Sequence, residues 1–306
     1  MEDVTKNDLY MNNESAIYLN DILNILWLKK FHIIGATFLF ALFAIIYALS
    51  LPNIYKSSSV LMPQENDSSM SGMLGQYSSM AGLAGISMQN ESTKSQEALH
   101  RINSFDFFSE NILPNISLQD LLAFPTWDPL SNKLTYDPDV FNAETGNWLG
   151  DIPSSQVAYQ AFANIMSFSE DKRSSLHYLS VTHVSPYIAQ EWNKLIIDQI
   201  DHVMRNQDRL EAERSIEFVN IKQLTTKYEE IKKTLASLQQ EQMKRLMMVE
   251  ANKNYIFKVL DSPTVPEKRS EPQRRFIVML LTTLGMLFSM LFYTALYFYR
   301  RHKLIK

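Results

Sequence analysis

The stretch FHIIGATFLFALFAIIYALSL, Phe31 to Leu51, decides how the rest of the chain is read. It carries no acidic residue, lysine or arginine and exceeds the roughly 18 to 20 apolar residues that cross a bilayer as a helix. A second such run, FIVMLLTTLGMLFSMLFYTALYFY from Phe276 to Tyr299, lies near the other end. Backbone groups in hydrocarbon must be satisfied within the chain, so both runs are expected to be spanning helices, with the two termini on one side. Ala48-Leu49-Ser50 loosely imitates a signal-peptide cleavage site. The run is nevertheless too long for the apolar core of such a peptide, and about 30 residues that are more than a basic leader precede it, so an uncleaved anchor is expected.

Working outward, the chain divides into an N-terminal tail (1–30), the first span (31–51), a large polar domain (52–275), the second span (276–299) and a C-terminal tail (300–306). Lys29 and Lys30 precede the first span while only Lys56 follows closely, which places the tails in the cytoplasm and the large domain outside it. The second span has basic residues in equal number on its two flanks and does not discriminate. The absence of cysteine suits an oxidising compartment and excludes disulfide scaffolds, thiolate catalysis and zinc ribbons. A net charge of −4, spread along the chain, offers no basic face to nucleic acid.

Inside the domain, Pro52 stops the first helix and Ile54 to Leu61 alternates as a strand. Gln64 to Gln89 is rich in Ser, Gly and Met and reads either as a surface loop or as one that packs between subunits, because Met73, Leu74, Leu83 and Ile86 would otherwise be exposed. From Ser95 to Leu113 the apolar residues Leu99, Ile102, Phe105 and Phe108 recur at helical spacing, so a helix is expected there, with Pro114 marking its end. Pro125 to Pro153 is turn-rich, with Trp127 and Trp148 as expected packing anchors rather than a sugar platform. Tyr159 to Met166 reads as helix and His177 to Val184 as a half-buried strand.

Ser185 and Pro186 supply a helix start, and from there to about Glu250 no proline or glycine interrupts the sequence. A single helix of that length would extend roughly 96 Å at 1.5 Å per residue, so the long helical region (186–250) is a pillar or the arm of a hairpin. Ile221, Leu224, Tyr228, Ile231, Leu235 and Leu238 alternate in steps of three and four, the spacing of a seam that faces a partner helix. That stripe serves either packing within the domain or self-association. Arg205, Arg209, Arg214 and Glu217 read mainly as a solvated face, and Glu229 is placed to pair with Lys233. The proline segment (263–272), with Pro263, Pro266 and Pro272, is expected to be extended and stiff. In the spans, Gly285 with Ser289, and Ala41 with Ala44 and Ala48, form small-residue faces that permit close helix approach.

Catalytic signatures are missing: there is neither a phosphate loop nor a nucleophile turn, and the six histidines lack metal-ligand spacing. Acidic pairs such as Asp137 with Asp139 and Glu229 with Glu230 cannot be placed across a cleft from sequence. No catalytic residue, cofactor site or metal site is therefore assigned, and an enzyme is the minority reading.

Tyr55-Lys56-Ser57, Gly82-Leu83-Ala84-Gly85-Ile86, Ser180-Val181-Thr182-His183 and Ser185-Pro186-Tyr187-Ile188-Ala189-Gln190-Glu191-Trp192 follow one another along the chain. With the order of segments, these pieces carry a resemblance to the Wzz-type chain-length determinants, the polysaccharide co-polymerases of Gram-negative inner membranes. Its most specific pieces are Glu211-Ala212-Glu213-Arg214-Ser215-Ile216 and Tyr255-Ile256-Phe257-Lys258 followed by Val265-Pro266-Glu267-Lys268. The chain departs from the pattern at Arg269, where relatives often have a further proline, although Ser270 and Pro272 keep their places.

The resemblance implies an α+β protein: two transmembrane helices flanking a periplasmic α/β base domain with a long extended helix or helical hairpin, assembled side by side into a ring-shaped homo-oligomer. It further implies a non-enzymatic regulator of O-antigen modal length, working with a Wzy-type polymerase on undecaprenyl-linked glycan and in contact with membrane lipid. The class without a kinase domain is expected, because the short tails leave no room for one. A polysaccharide export adaptor of the cell envelope is the alternative, and a membrane-anchored glycan hydrolase with two essential carboxylates is a third reading.

Overall fold

The computed structural model describes residues 26–64, 94–123 and 125–305. The Gly- and Met-rich stretch after Gln64, including Gly82 to Ile86, and most of the N-terminal tail lie outside the described residues. The chain forms two units, one of residues up to Asn53 together with Ser270 onward, the other from Ile54 to Arg269.

The first unit contains α1 (Lys30–Ser50), while β1 (Tyr55–Pro63) opens the second unit. The second unit continues with α2 (Lys94–Ile102), α3 (Phe105–Phe107) and, after the tighter and wider turns of Phe108 to Asn115, α4 (Leu118–Leu122). Two short ribbons follow, β2 (Thr126–Asp128) with β3 (Lys133–Thr135) and β4 (Phe141–Asn142) with β5 (Asn147–Trp148). Then come α5 (Ser155–Ile165), β6 (Met166–Asp171), β7 (Leu176–His183), α6 (Pro186–Thr225), α7 (Glu229–Ala251) and β8 (Phe257–Asp261), before α8 (Arg274–Ile305) completes the first unit.

In the first unit, α1 and α8 are long and apolar enough to cross a membrane. They run antiparallel: the His32 and Tyr293 rings meet at 5.9 Å, and Phe40 meets Phe288 at 6.3 Å. Ala44, Ala48 and Ser289 are buried where the helices touch. Gly285 lies against the Phe40 side chain, and a Cβ added there would come within 2.5 Å of Phe40 Cβ.

The second unit is organised around an antiparallel sheet in the order β6-β7-β1-β8. Tyr55 pairs with His183 and Leu61 with His177 along β1 and β7, while Pro63 pairs with Phe257 of β8. Alternation buries Ser57, Ser59 and Leu61 on β1 and His177, Leu179, Val181 and His183 on β7. Over this face lie Trp192, Ile196, Ile200 and Met204 of α6, joined by Phe108, Ile112 and Phe162. The small serines make room for Asn193, whose Nδ2 donates to the carbonyls of Ser57 (3.0 Å) and Leu179 (3.2 Å) while its Oδ1 accepts from Ser59 Oγ at 2.9 Å. A buried amide so placed fixes the helix over one register of the sheet, because leaving its groups unpaired would cost about 1–3 kcal/mol each.

The helix expected from Ser95 to Leu113 is broken. Ser104 takes extended backbone angles and its Oγ accepts the amide of Phe107 at 3.2 Å, starting a new helix and turning the chain. The expected packing role of the tryptophans fits their contacts: Trp127 meets the Tyr55 ring at 5.4 Å, and Trp148 meets Phe141 at 5.3 Å.

The long helical region is a hairpin. α6 stops at Thr225, Thr226 and Tyr228 are extended, and α7 returns antiparallel along α6. Instead of glycine or proline, two threonine hydroxyls mark the stop: Thr225 Oγ1 donates to the Ile221 carbonyl and Thr226 Oγ1 to that of Lys222. Glu229 and Glu230 then sit in the first turn of α7, where negative charge favours a helix start.

Candidate functional site

The hairpin foot is held by a polar cluster that the sequence reading did not assemble. Arg205, taken above as part of a solvated face, is a clamp. Its Nη1 donates to the carbonyls of Val249 (2.5 Å) and Asn252 (2.7 Å), and its Nη2 donates to Lys253 O (3.0 Å) and Asp201 Oδ2 (2.8 Å). These include carbonyls at the end of α7, which no further helical turn satisfies. Asp201 Oδ1 in turn accepts the amides of Tyr255 (2.6 Å) and Ile256 (3.1 Å), so one Asp–Arg pair ends α7 and aims the chain into β8.

One turn along α6 and a second turn beyond, Asp208 accepts from Lys94 Nζ, from Tyr255 Oη and, at 2.7 Å, from Arg245 Nη2. Arg245 also reaches Glu211 at 3.1 Å. Burial pushes the Asp208 carboxyl up, but hydrogen bonds from Lys94 and Tyr255 and the charges of Lys94 and Arg245 outweigh it, leaving the group below its ordinary value. Burial and the adjoining Asp208 carboxylate raise the Tyr255 phenol, which stays protonated and donates. Farther out, Gln239 bridges Gln223 (3.1 Å) and Asn220 (2.8 Å) across the arms.

Beside this foot, a groove of about 800 Å³ runs along α6 between Arg101, Glu110 and Asn111 on one wall and Leu238 and Gln242 of α7 on the other. Arg101 Nε and Gln242 Oε1 are both buried without a hydrogen-bond partner. An orphan donor and an orphan acceptor in one groove match the chemistry of hydroxyl or amide groups, which supply both.

The seam residues are divided by the turn. Ile221 and Leu224 lie on the last turns of α6, Tyr228 lies just before α7, and Ile231, Leu235 and Leu238 lie on α7. The single stripe drawn on one helix is thus not continuous. Leu224 is 89% exposed and Tyr228 73%, and Ile221, Ile231 and Leu238 are also exposed; Leu235 is half-buried. Glu229 pairs with Lys232 at 2.9 Å rather than with Lys233.

In the proline segment, Pro263 offers its carbonyl to Gln190 Nε2 (3.0 Å), and the neighbouring Thr264 carbonyl accepts from Ser57 Oγ (2.9 Å). Pro266 lies in irregular backbone, and Pro272 follows a cis peptide bond just ahead of α8.

The two strand histidines are structural in their contacts. His183 Nδ1 accepts the Ser185 amide at 3.0 Å, so Nε2 carries the proton and donates to the Asp120 carbonyl at 2.9 Å. Burial holds its pKa below 6.5. His177 stacks on Phe168 at 5.5 Å and is lowered by burial likewise. Among the described residues, no group of three or more His, Asp or Glu is placed to hold a metal ion.

With this geometry in view, the relation to known proteins follows two lines. Residues 15–104 match the family model of the Wzz chain length determinant proteins. That match supports the Wzz-type resemblance read from the sequence and includes two of the pieces that carry it, Tyr55-Lys56-Ser57 and Gly82-Leu83-Ala84-Gly85-Ile86. Three solved structures are similar in lesser degree. A full-length bacterial polysaccharide co-polymerase shares 12% identity over 93% of this chain and 99% of its own, with a TM-score of 0.42. A fragment of WzzB, a polysaccharide co-polymerase from Salmonella Typhimurium, shares 11% identity over 72% of this chain and 100% of its own, with a TM-score of 0.30. A mutant of the lipopolysaccharide O-antigen chain-length regulator WzzB from Shigella flexneri shares 10% identity over 71% of this chain and 100% of its own, at 0.21. No curated protein matches the chain.

Proposed function

We propose that the chain is a non-enzymatic regulator of polysaccharide chain length that acts with a Wzy-type polymerase on undecaprenyl-linked glycan. The match of residues 15–104 to the chain length determinant model carries this reading. In it, α1 and α8 lie in a Gram-negative inner membrane, the domain from 52 to 275 is periplasmic, and the tails 1–30 and 300–306 are cytoplasmic.

The hairpin supplies the means of assembly. Its apolar residues near the turn, Leu224, Tyr228 and Ile231 among them, are exposed on a single subunit and become buried when copies stand side by side in a ring. Such a ring repeats the groove beside α6 once per subunit, presenting the glycan or its polymerase with several equivalent polar surfaces at one height. Regulation by a scaffold of this kind needs no bond making or breaking in the domain.

The test is the electrophoretic ladder of surface lipopolysaccharide from a deletion strain beside the complemented one. A ladder that persists but loses its preferred length band is expected. Complete loss of long glycan would instead assign the chain to export, and an unchanged ladder would sink the O-antigen reading.

A further inference from the structure

Between α1 and α8 opens a cleft of about 430 Å³, lined almost wholly by apolar atoms, among them those of Ile45, Ala48, Val278 and Met279. Arg274 and Arg275 stand at its mouth, at the start of α8. Arg274 is held in place by donating Nη2 to the Leu51 carbonyl and to Asn53 Oδ1, each at 3.0 Å, yet its Nε is buried without a partner. Arg275 is exposed and has no side-chain partner among the described residues. An apolar slot whose open end carries two guanidinium groups is complementary to one kind of molecule, an acyl chain ending in an anionic phosphate. A free phosphate has no use for the slot, and the lining contains no carboxylate to receive an ammonium headgroup.

We propose that this cleft seats one anionic phospholipid of the phosphatidylglycerol type, its chain between α1 and α8 and its phosphate on Arg274 and Arg275. Guanidinium suits this role because it presents several donors in a fixed plane and remains charged. Arg274 Nε–H gains an acceptor, and the pre-positioned fork loses little freedom on binding. The site is independent of what the outer domain does.

The full-length chain is extracted from membranes containing phosphatidylglycerol and phosphatidylethanolamine, and retained lipid is counted by native mass spectrometry. Phosphatidylglycerol is expected to be enriched over its share of the membrane, and Arg275→Gln to lower its retention about fivefold, with a further loss of similar size in Arg274→Gln/Arg275→Gln. Arg275 is exposed and makes no side-chain hydrogen bond or ion pair among the described residues, so its variant tests the site with little risk to folding. Val278→Trp, which fills the slot and leaves both charges, is expected to lower retention as well. The proposal is overturned if both lipids are retained in proportion to the membrane, or if Arg275→Gln changes nothing. It is equally overturned if Val278→Trp alters only the oligomeric state, which would make the slot a seat for a second copy. Added polyprenyl phosphate displacing phosphatidylglycerol and losing retention in the same variants would replace the proposed occupant.

Discussion

Asp208 receives two cations and a phenol at one carboxylate, from α2, from α7 and from the segment that leads into β8. Replacing it with alanine takes the acceptor from the Tyr255 hydroxyl and leaves Lys94 with only Tyr255 Oη and Arg245 with only Glu211 in reach, and is expected to destabilise the protein by about 2–4 kcal/mol, measured by denaturation of the full chain in detergent. Acid acts through the same kind of residue. His183 and His177 lie below 6.5 because they are buried, so an unfolded chain takes up protons first as the pH drops beneath that value. Stability is therefore full above about 6.5 and declines below it, and in His183→Gln the melting temperature should depend less on pH there. Asp208 acts lower down: its folded value is depressed from 3.8, so its stabilisation is present above 3.8 and is lost as the pH falls beneath it toward the folded value. In the spans, any side chain at Gly285 must displace Phe40. Gly285→Leu is expected to cost about 1–3 kcal/mol of helix pairing, read as weaker cross-linking between cysteines introduced on α1 and α8.

At the scale of elements, what could be read beforehand was whatever rests on local periodicity. The strand around Ile54 to Leu61 and the one from His177 announce themselves because every second residue faces the same helix. The stop at Thr225 does not, because a rule based on glycine and proline passes over threonines whose hydroxyls capture the last carbonyls. Ser104 hides in the same way inside an apolar rhythm that continues across it. Arg205 was illegible for a different reason: the Val249, Asn252 and Lys253 carbonyls it bonds are more than forty residues onward, and the pairing exists only once the hairpin has closed. The seam near the turn gives a prediction of its own. Leu224→Asp removes an exposed apolar contact without touching the core, so it should leave the unfolding free energy within about 0.5 kcal/mol of the parent while reducing oligomer size on a sizing column. A parent-sized assembly after that change would show that Leu224 faces something other than a neighbouring subunit.

For the whole molecule, the order β6-β7-β1-β8 makes the first strand and the last strand of the second unit neighbours. The core beneath them is completed by the first half of α6, up to about Met204. Beyond Asp208 and Arg245 the two arms bond each other through Gln239, which meets Gln223 and Asn220. Replacing residues 213–241 with a short turn is expected to keep the sheet and its core intact, with thermal unfolding still cooperative, and to abolish assembly. Loss of the folded sheet in that variant would mean that the outer arms take part in the core.

The Arg205 clamp has an architectural corollary. Because it ties the returning arm down at its root, the hairpin is a bolt-on part whose reach is free to vary. Seven residues added to each arm would extend it by about 10 Å and turn the added faces back nearly into register, while the anchorage below stays as it was. A lineage could therefore lengthen or shorten this limb by insertion and deletion alone, without redesigning the platform that bears it.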